Sequence, residues 1–173
     1  WSKDPKGITP FKLLLCHAKP VKIVKIVKRM KILLSVDIRG TLCISMFPFL
    51  RLIKDLDLGF VPSMVDMTRC CLIAFDGPRV ASFTSNGEKI AERVFKGFAV
   101  VSEVAVEVAS RSDVVLIATT NREVLLLNCV SLEIVGVLLK LESLAKLLKF
   151  DERSGTVAIV TESHDVIFTQ IPD

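Results

Sequence analysis

Two sets of residues in this 173-residue chain hold side chains of the kind that move protons. His17, Ser35 and Asp37 fall within one short stretch, and Ser163-His164-Asp165 stand in a row. A catalytic triad needs hydroxyl, imidazole and carboxylate aligned in space, which adjacency in sequence does not achieve. Three consecutive residues of a hairpin turn point in different directions, so Ser163–Asp165 reads as a solvated turn. His17 and Asp37 are the more telling pair. A buried histidine and aspartate offset the cost of leaving water only by finding hydrogen-bond partners.

The cysteines are Cys16, Cys43, Cys70, Cys71 and Cys129, and the only histidines are His17 and His164. No C-x-x-C spacing occurs and the count is odd. This argues against a zinc site and a disulfide framework. The expected state is buried, reduced thiols in a cytoplasmic protein. Asp4, Asp55, Asp57 and Asp76 lack the spacing of a cation-binding loop, and the dispersed glycines form no phosphate cradle. No cofactor, metal or enzymatic activity is expected.

A basic stretch holds Lys19, Lys22, Lys25, Lys28, Arg29 and Lys31. The net charge of +4 is too small to imply nucleic acid. With one Trp and no Tyr, the chain lacks the aromatic–basic interleaving that stacks bases. Lysines on a strand edge block edge-to-edge pairing. Lys22, Lys25, Lys28, Arg29 and Lys31 are also the residues that would meet an acidic partner protein or an anionic membrane surface.

Elements must now be found to position these residues. An apolar fraction of 51% and a mean hydropathy of +0.53 exclude disorder. The apolar runs are too short to span a membrane as helices, which takes about 20 residues. Val114–Thr119 stops at Thr120-Asn121-Arg122-Glu123, and Val135–Leu139 meets Lys140. No secretory signal is visible.

The runs repeat with a period of about 40–45 residues, that of a four-stranded blade. The first unit places Val21, Val24 and Ile26 on one strand, Ile32–Ser35 on the next, a turn over Asp37–Gly40, a strand from Thr41 and a last one over Leu50–Leu58. The second runs through Cys70–Phe75, Val80–Thr84, the Asn86-Gly87 hairpin signal and Lys89–Phe95. The third uses Val101, Val104 and Val106, then Val114–Thr119, Val124–Val130 and Ile134–Leu141. The fourth uses Ala145, Leu148 and Phe150, then Val157–Thr161 and Val166–Ile171. Val21–Leu34 and Leu138–Phe150 can also be drawn as helices. The Val and Ile density of residues 21–27 favours strand, and the repeat assigns both stretches to strand slots.

These residues resemble WD repeats. Cys16-His17 stands where the family has Gly-His, Ser35-Val36-Asp37-Ile38-Arg39-Gly40 stands at its Ser-x-Asp turn, and Ser45-Met46 replaces Trp-Asp. The resemblance implies an all-β fold: about four four-stranded antiparallel propeller blades, an incomplete part of a larger WD-type β-propeller. The blades fall at about 17–58, 60–96, 99–141 and 143–171, with an outer strand at 8–15. Trp1-Ser2 falls in the Trp-Asp slot, so the frame begins inside a blade. The fourth unit ends after its third strand. The chain is therefore expected to be a piece of a longer one.

The resemblance also implies that His17, Ser35 and Asp37 hydrogen-bond one another as a structural lock, left incomplete by Ser45. A narrower resemblance, carried by the Val80–Ile90 hairpin and the His17–Leu58 unit, is to the C-terminal WD repeats of BEACH-domain proteins. It implies a cytoplasmic protein-interaction scaffold in vesicle trafficking and membrane dynamics. The alternative is a peripheral membrane-binding module using the basic Lys22–Lys31 face.

Overall fold

The computed structural model describes residues 16–101, 106–109, 113–151 and 153–171. The outer strand expected at 8–15 and the Trp1-Ser2 slot lie outside the described residues, as does Val104.

The chain divides into two compact units, Trp1–Phe60 and Val61–Asp173. In the first, β1 (Val21–Val27), β2 (Ile32–Asp37), β3 (Thr41–Met46) and β4 (Arg51–Asp57) form one antiparallel meander in the order β1-β2-β3-β4. Both stretches that could be drawn as helices are strands or strand connections. Residues 21–27 are almost all β-branched on the apolar side, which fits a pleated surface better than a helix. The only helical turn among the described residues is a 3-10 turn, Lys28–Met30, that joins β1 to β2.

The second unit holds three sheets in chain order. β5 (Met64–Met67), β6 (Leu72–Asp76), β7 (Arg79–Phe83) and β8 (Lys89–Val94) make one. β9 (Val106–Ala109), β10 (Val114–Ala118), β11 (Glu123–Asn128) and β12 (Ile134–Lys140) make the next. β13 (Ala145–Asp151), β14 (Thr156–Thr161) and β15 (Val166–Gln170) make the last, with three described strands.

Strand periodicity explains how these three sheets stack. Successive side chains on a strand point to opposite faces. On β10 and β11, Val115, Ile117, Leu125 and Leu127 pack with Ile73, Phe75 and Val80 of the sheet before. Their neighbours Leu116, Ala118, Val124 and Leu126 pack with Leu148, Val157 and Ile159 of the sheet after. β10 and β11 are thus apolar on both faces and read as continuous apolar runs. Each fully buried Leu or Ile contributes about 1.5–3 kcal/mol.

One turn design recurs. At Thr84–Glu88, Thr119–Glu123 and Thr161–Asp165, the first residue accepts an N–H from the fourth and donates its own N–H to the fifth. The threonine hydroxyl accepts the fifth residue's N–H at 3.0, 3.4 and 3.2 Å. The fourth residue is left-handed in each case, with φ +86° at Gly87, +61° at Arg122 and +69° at His164. The Asn86-Gly87 signal therefore marks a hairpin through Gly87 alone, in a turn longer than two residues. At Asp37–Thr41 the fourth residue, Gly40 at φ +88°, again donates its N–H to the first residue's carbonyl, and a carboxylate replaces the threonine hydroxyl in accepting the fifth residue's N–H.

Candidate functional site

The first unit brings His17, Ser35 and Asp37 together. Pro20 O accepts the N–H of Ile38 at 3.0 Å, which ties the segment before β1 to the β2–β3 turn. His17 Nε2 lies 2.8 Å from Ser35 Oγ. His17 Nδ1 lies 3.5 Å from Asp37 Oδ2, with the two side chains 5% and 4% exposed. A ring protonated on Nδ1 faces the carboxylate and accepts the serine hydroxyl. Asp37 Oδ1 accepts the N–H groups of Arg39 and Thr41 at 2.8 and 3.0 Å. Burial works against the ionised carboxylate, but those two N–H groups and His17 outweigh it and hold its pKa below the ordinary value.

Two cysteines that sequence reasoning set aside belong to the same cluster. Cys43 is the cross-strand partner of Ser35. Its Sγ lies 3.8 Å from His17 Nδ1 and donates to Cys16 O at 3.3 Å. Cys16 Sγ lies 3.8 Å from Ser35 Oγ. Burial, and then the neighbouring Cys16 thiol, push the Cys43 thiol up to about 12. Ser45, read from sequence as the residue in the tryptophan slot, pairs with Leu33 across β2 and β3. Its hydroxyl is buried with no hydrogen-bond partner among the described residues. The signal that could have found Cys43 is its distance from the Asp37–Thr41 turn: two steps back from Asp37 and two steps on from Thr41 set it against Ser35.

The five cations are spread along β1 and its connection to β2. Lys22 is the extra residue of a β-bulge near the start of β1, where Val21 pairs with Asp37 and Ile23 with Val36. Lys25 is half-buried on the strand opposite Leu34. Lys28, Arg29 and Lys31 are exposed at the other end, on the β1–β2 connection. At about 3.3 Å per residue, the two ends of β1 stand roughly 20 Å apart.

Ser163, His164 and Asp165 do not form a relay. The Ser163 hydroxyl donates to Asp165 Oδ2 at 2.6 Å and lies 2.7 and 2.9 Å from the hydroxyls of Ser143 and Thr161. The ring of His164 is not among its partners. In the second unit, Cys71 donates to Cys129 O at 3.0 Å, and both thiols are buried. The Cys129 sulfur beside it, and burial, push the Cys71 thiol well up. Among the described residues, no helix is long and apolar enough to cross a membrane.

No protein-family model and no curated protein matches the chain. Solved structures do. The computationally designed Ika4 protein matches with a TM-score of 0.66 at 13% identity, over 92% of this chain and 96% of that one. The β-propeller domain of Cps50 (Swd1) from Myceliophteria thermophila matches with a TM-score of 0.57 at 13% identity, over 91% of this chain and 67% of that one. The computationally designed Ika8 protein matches with a TM-score of 0.64 at 14% identity, over 91% of this chain and 48% of that one. At such identities the likeness shows fold alone. That fold is the β-propeller, and the four antiparallel sheets are its blades.

Proposed function

We propose that the chain is a non-catalytic protein-interaction scaffold, the C-terminal propeller region of a BEACH-type protein acting in vesicle trafficking and membrane dynamics. The observation that carries the scaffold reading is the apolar surface at the β3–β4 connection. Phe49 is 66% exposed and Ile53 54%, with Phe47 and Leu52 also exposed. Exposed aromatic and aliphatic side chains on a turn and the strand that follows it offer apolar surface that another protein can cover. In this reading His17, Ser35 and Asp37 lock the segment before β1 onto the β2–β3 turn and perform no chemistry. The BEACH assignment is supported by the Val80–Ile90 hairpin and the His17–Leu58 unit.

The scaffold reading is tested by comparing proteins captured on the wild-type chain and on a Phe49→Asp/Ile53→Lys variant with matched circular dichroism and urea midpoint. A discrete set of partners lost on the variant is expected. Identical captured sets overturn this surface as the interaction site. The trafficking reading is tested on the coding sequence upstream of Trp1, where a BEACH domain is expected. A different upstream domain overturns that part alone.

A further inference from the structure

The thiols of Cys16 and Cys43 and the ring of His17 offer three ligand atoms within 4.8 Å of one another. For a tetrahedral Zn(II) with Zn–S near 2.3 Å and Zn–N near 2.0–2.1 Å, a sulfur and a nitrogen on one ion stand about 3.5 Å apart. Cys43 Sγ and His17 Nδ1 stand 3.8 Å apart, a few tenths of an ångström from that edge. The second ring nitrogen already has a partner, since His17 Nε2 lies 2.8 Å from Ser35 Oγ. Metal-bound imidazoles characteristically donate their other N–H in this way, which fixes the ring. The buried Asp37 carboxylate, 3.5 Å from Nδ1, adds negative charge beside the three ligands. Cys16 is half-buried, so the cluster is not sealed from solvent.

We propose that Cys16 Sγ, Cys43 Sγ and His17 Nδ1 bind one divalent thiophilic cation of the Zn(II) class, with water in the fourth position. Both thiols release their protons to solvent on binding, and the ring proton resides on Nε2, donated to Ser35. Two thiolates and one imidazole select a soft or borderline cation over Mg(II) or Ca(II). The pattern escapes a search for C-x-x-C because the ligands come from adjacent residues before β1 and from β3, joined by the β2–β3 register. The site stands independently of the scaffold reading, because its test reads metal binding and not partner capture.

The test is titration of the reduced full chain with Co(II), followed by Zn(II) competition against a chromophoric chelator. A thiolate-to-cobalt charge-transfer band and tetrahedral d–d bands, saturating at one equivalent and displaced by Zn(II), are expected. Cys16→Ser should weaken Zn(II) at least tenfold, and Cys70→Ser, which alters an exposed thiol outside the cluster, should leave it unchanged. Nitrogen NMR of His17 should move the ring proton from Nδ1 to Nε2 on Zn(II) addition. Absence of the charge-transfer band in the wild-type chain overturns the proposal, whatever the variants do. So does equal loss of binding in Cys70→Ser, or full binding in a folded Cys16→Ser.

Discussion

Cys43 faces Ser35 directly across β2 and β3, and this pairing sets its sulfur 3.8 Å from His17 Nδ1. The neighbour of the His17–Ser35–Asp37 group on β3 is therefore a small thiol. Ser45, two positions further along, has a buried hydroxyl and no partner among the described residues.

Removing the ring should leave Ser35 and Asp37 buried with one partner fewer each. His17→Ala is expected to destabilise the first unit by about 1–3 kcal/mol, the range for orphaned buried polar groups. Urea denaturation followed by circular dichroism measures it. Equal midpoints for variant and wild type would refute the lock.

The Ser45 hydroxyl bears the cost of burial with no hydrogen bond in return. Ser45→Ala should raise stability by about 1 kcal/mol, with an unchanged denaturant slope. A lower midpoint would mean that the hydroxyl has a partner in solution.

The recurring turn puts two non-glycine residues at left-handed φ, Arg122 and His164. A left-handed residue with a Cβ carries roughly 1–2 kcal/mol of strain, part of which glycine returns as unfolded-state entropy. His164→Gly is expected to stabilise by up to about 1 kcal/mol, and Gly87→Ala to destabilise by about 1–2 kcal/mol. Thermal unfolding of the two variants should shift in opposite directions. Shifts of the same sign would show that the turn does not set the cost.

Glu92 receives Lys89 Nζ and Arg79 Nε, each at 2.6 Å. Lys89, then Arg79, hold its pKa below the ordinary value of 4.5. A depressed folded-state pKa gives stability that is present above the unfolded value and lost as pH falls through the folded one. The stability difference between wild type and Glu92→Gln should thus favour wild type at neutral pH, shrink below about pH 4.5, and also shrink in high salt. A difference that grows on acidification would contradict this pairing.

The strands were legible because their signals are local. β-branched runs such as Val21–Val27, apolar runs such as Val114–Ala118, and turns punctuated at Gly40 and Gly87 each depend on a few neighbouring residues. The helical alternative over 21–34 was weakened by its Val and Ile density as well as by the repeat, the one over 138–150 by the repeat alone. The placement of the cations was not legible, for a physical reason. A run of basic residues along a strand is divided by the bulge at Lys22 and by the turn at Lys28–Lys31, so nearness in sequence does not place its members on one face.

Sequence by itself determined the all-β meander and the repeat of four sheets, because pattern and turn chemistry act over a few residues, while the WD resemblance singled out His17, Ser35 and Asp37. Tertiary structure alone decided that Cys43 and not Ser45 meets that trio, and that Cys16 joins it. Strand register is set by how whole strands bury their apolar faces, and a shift of one residue would send Cys43 to the other face of the sheet.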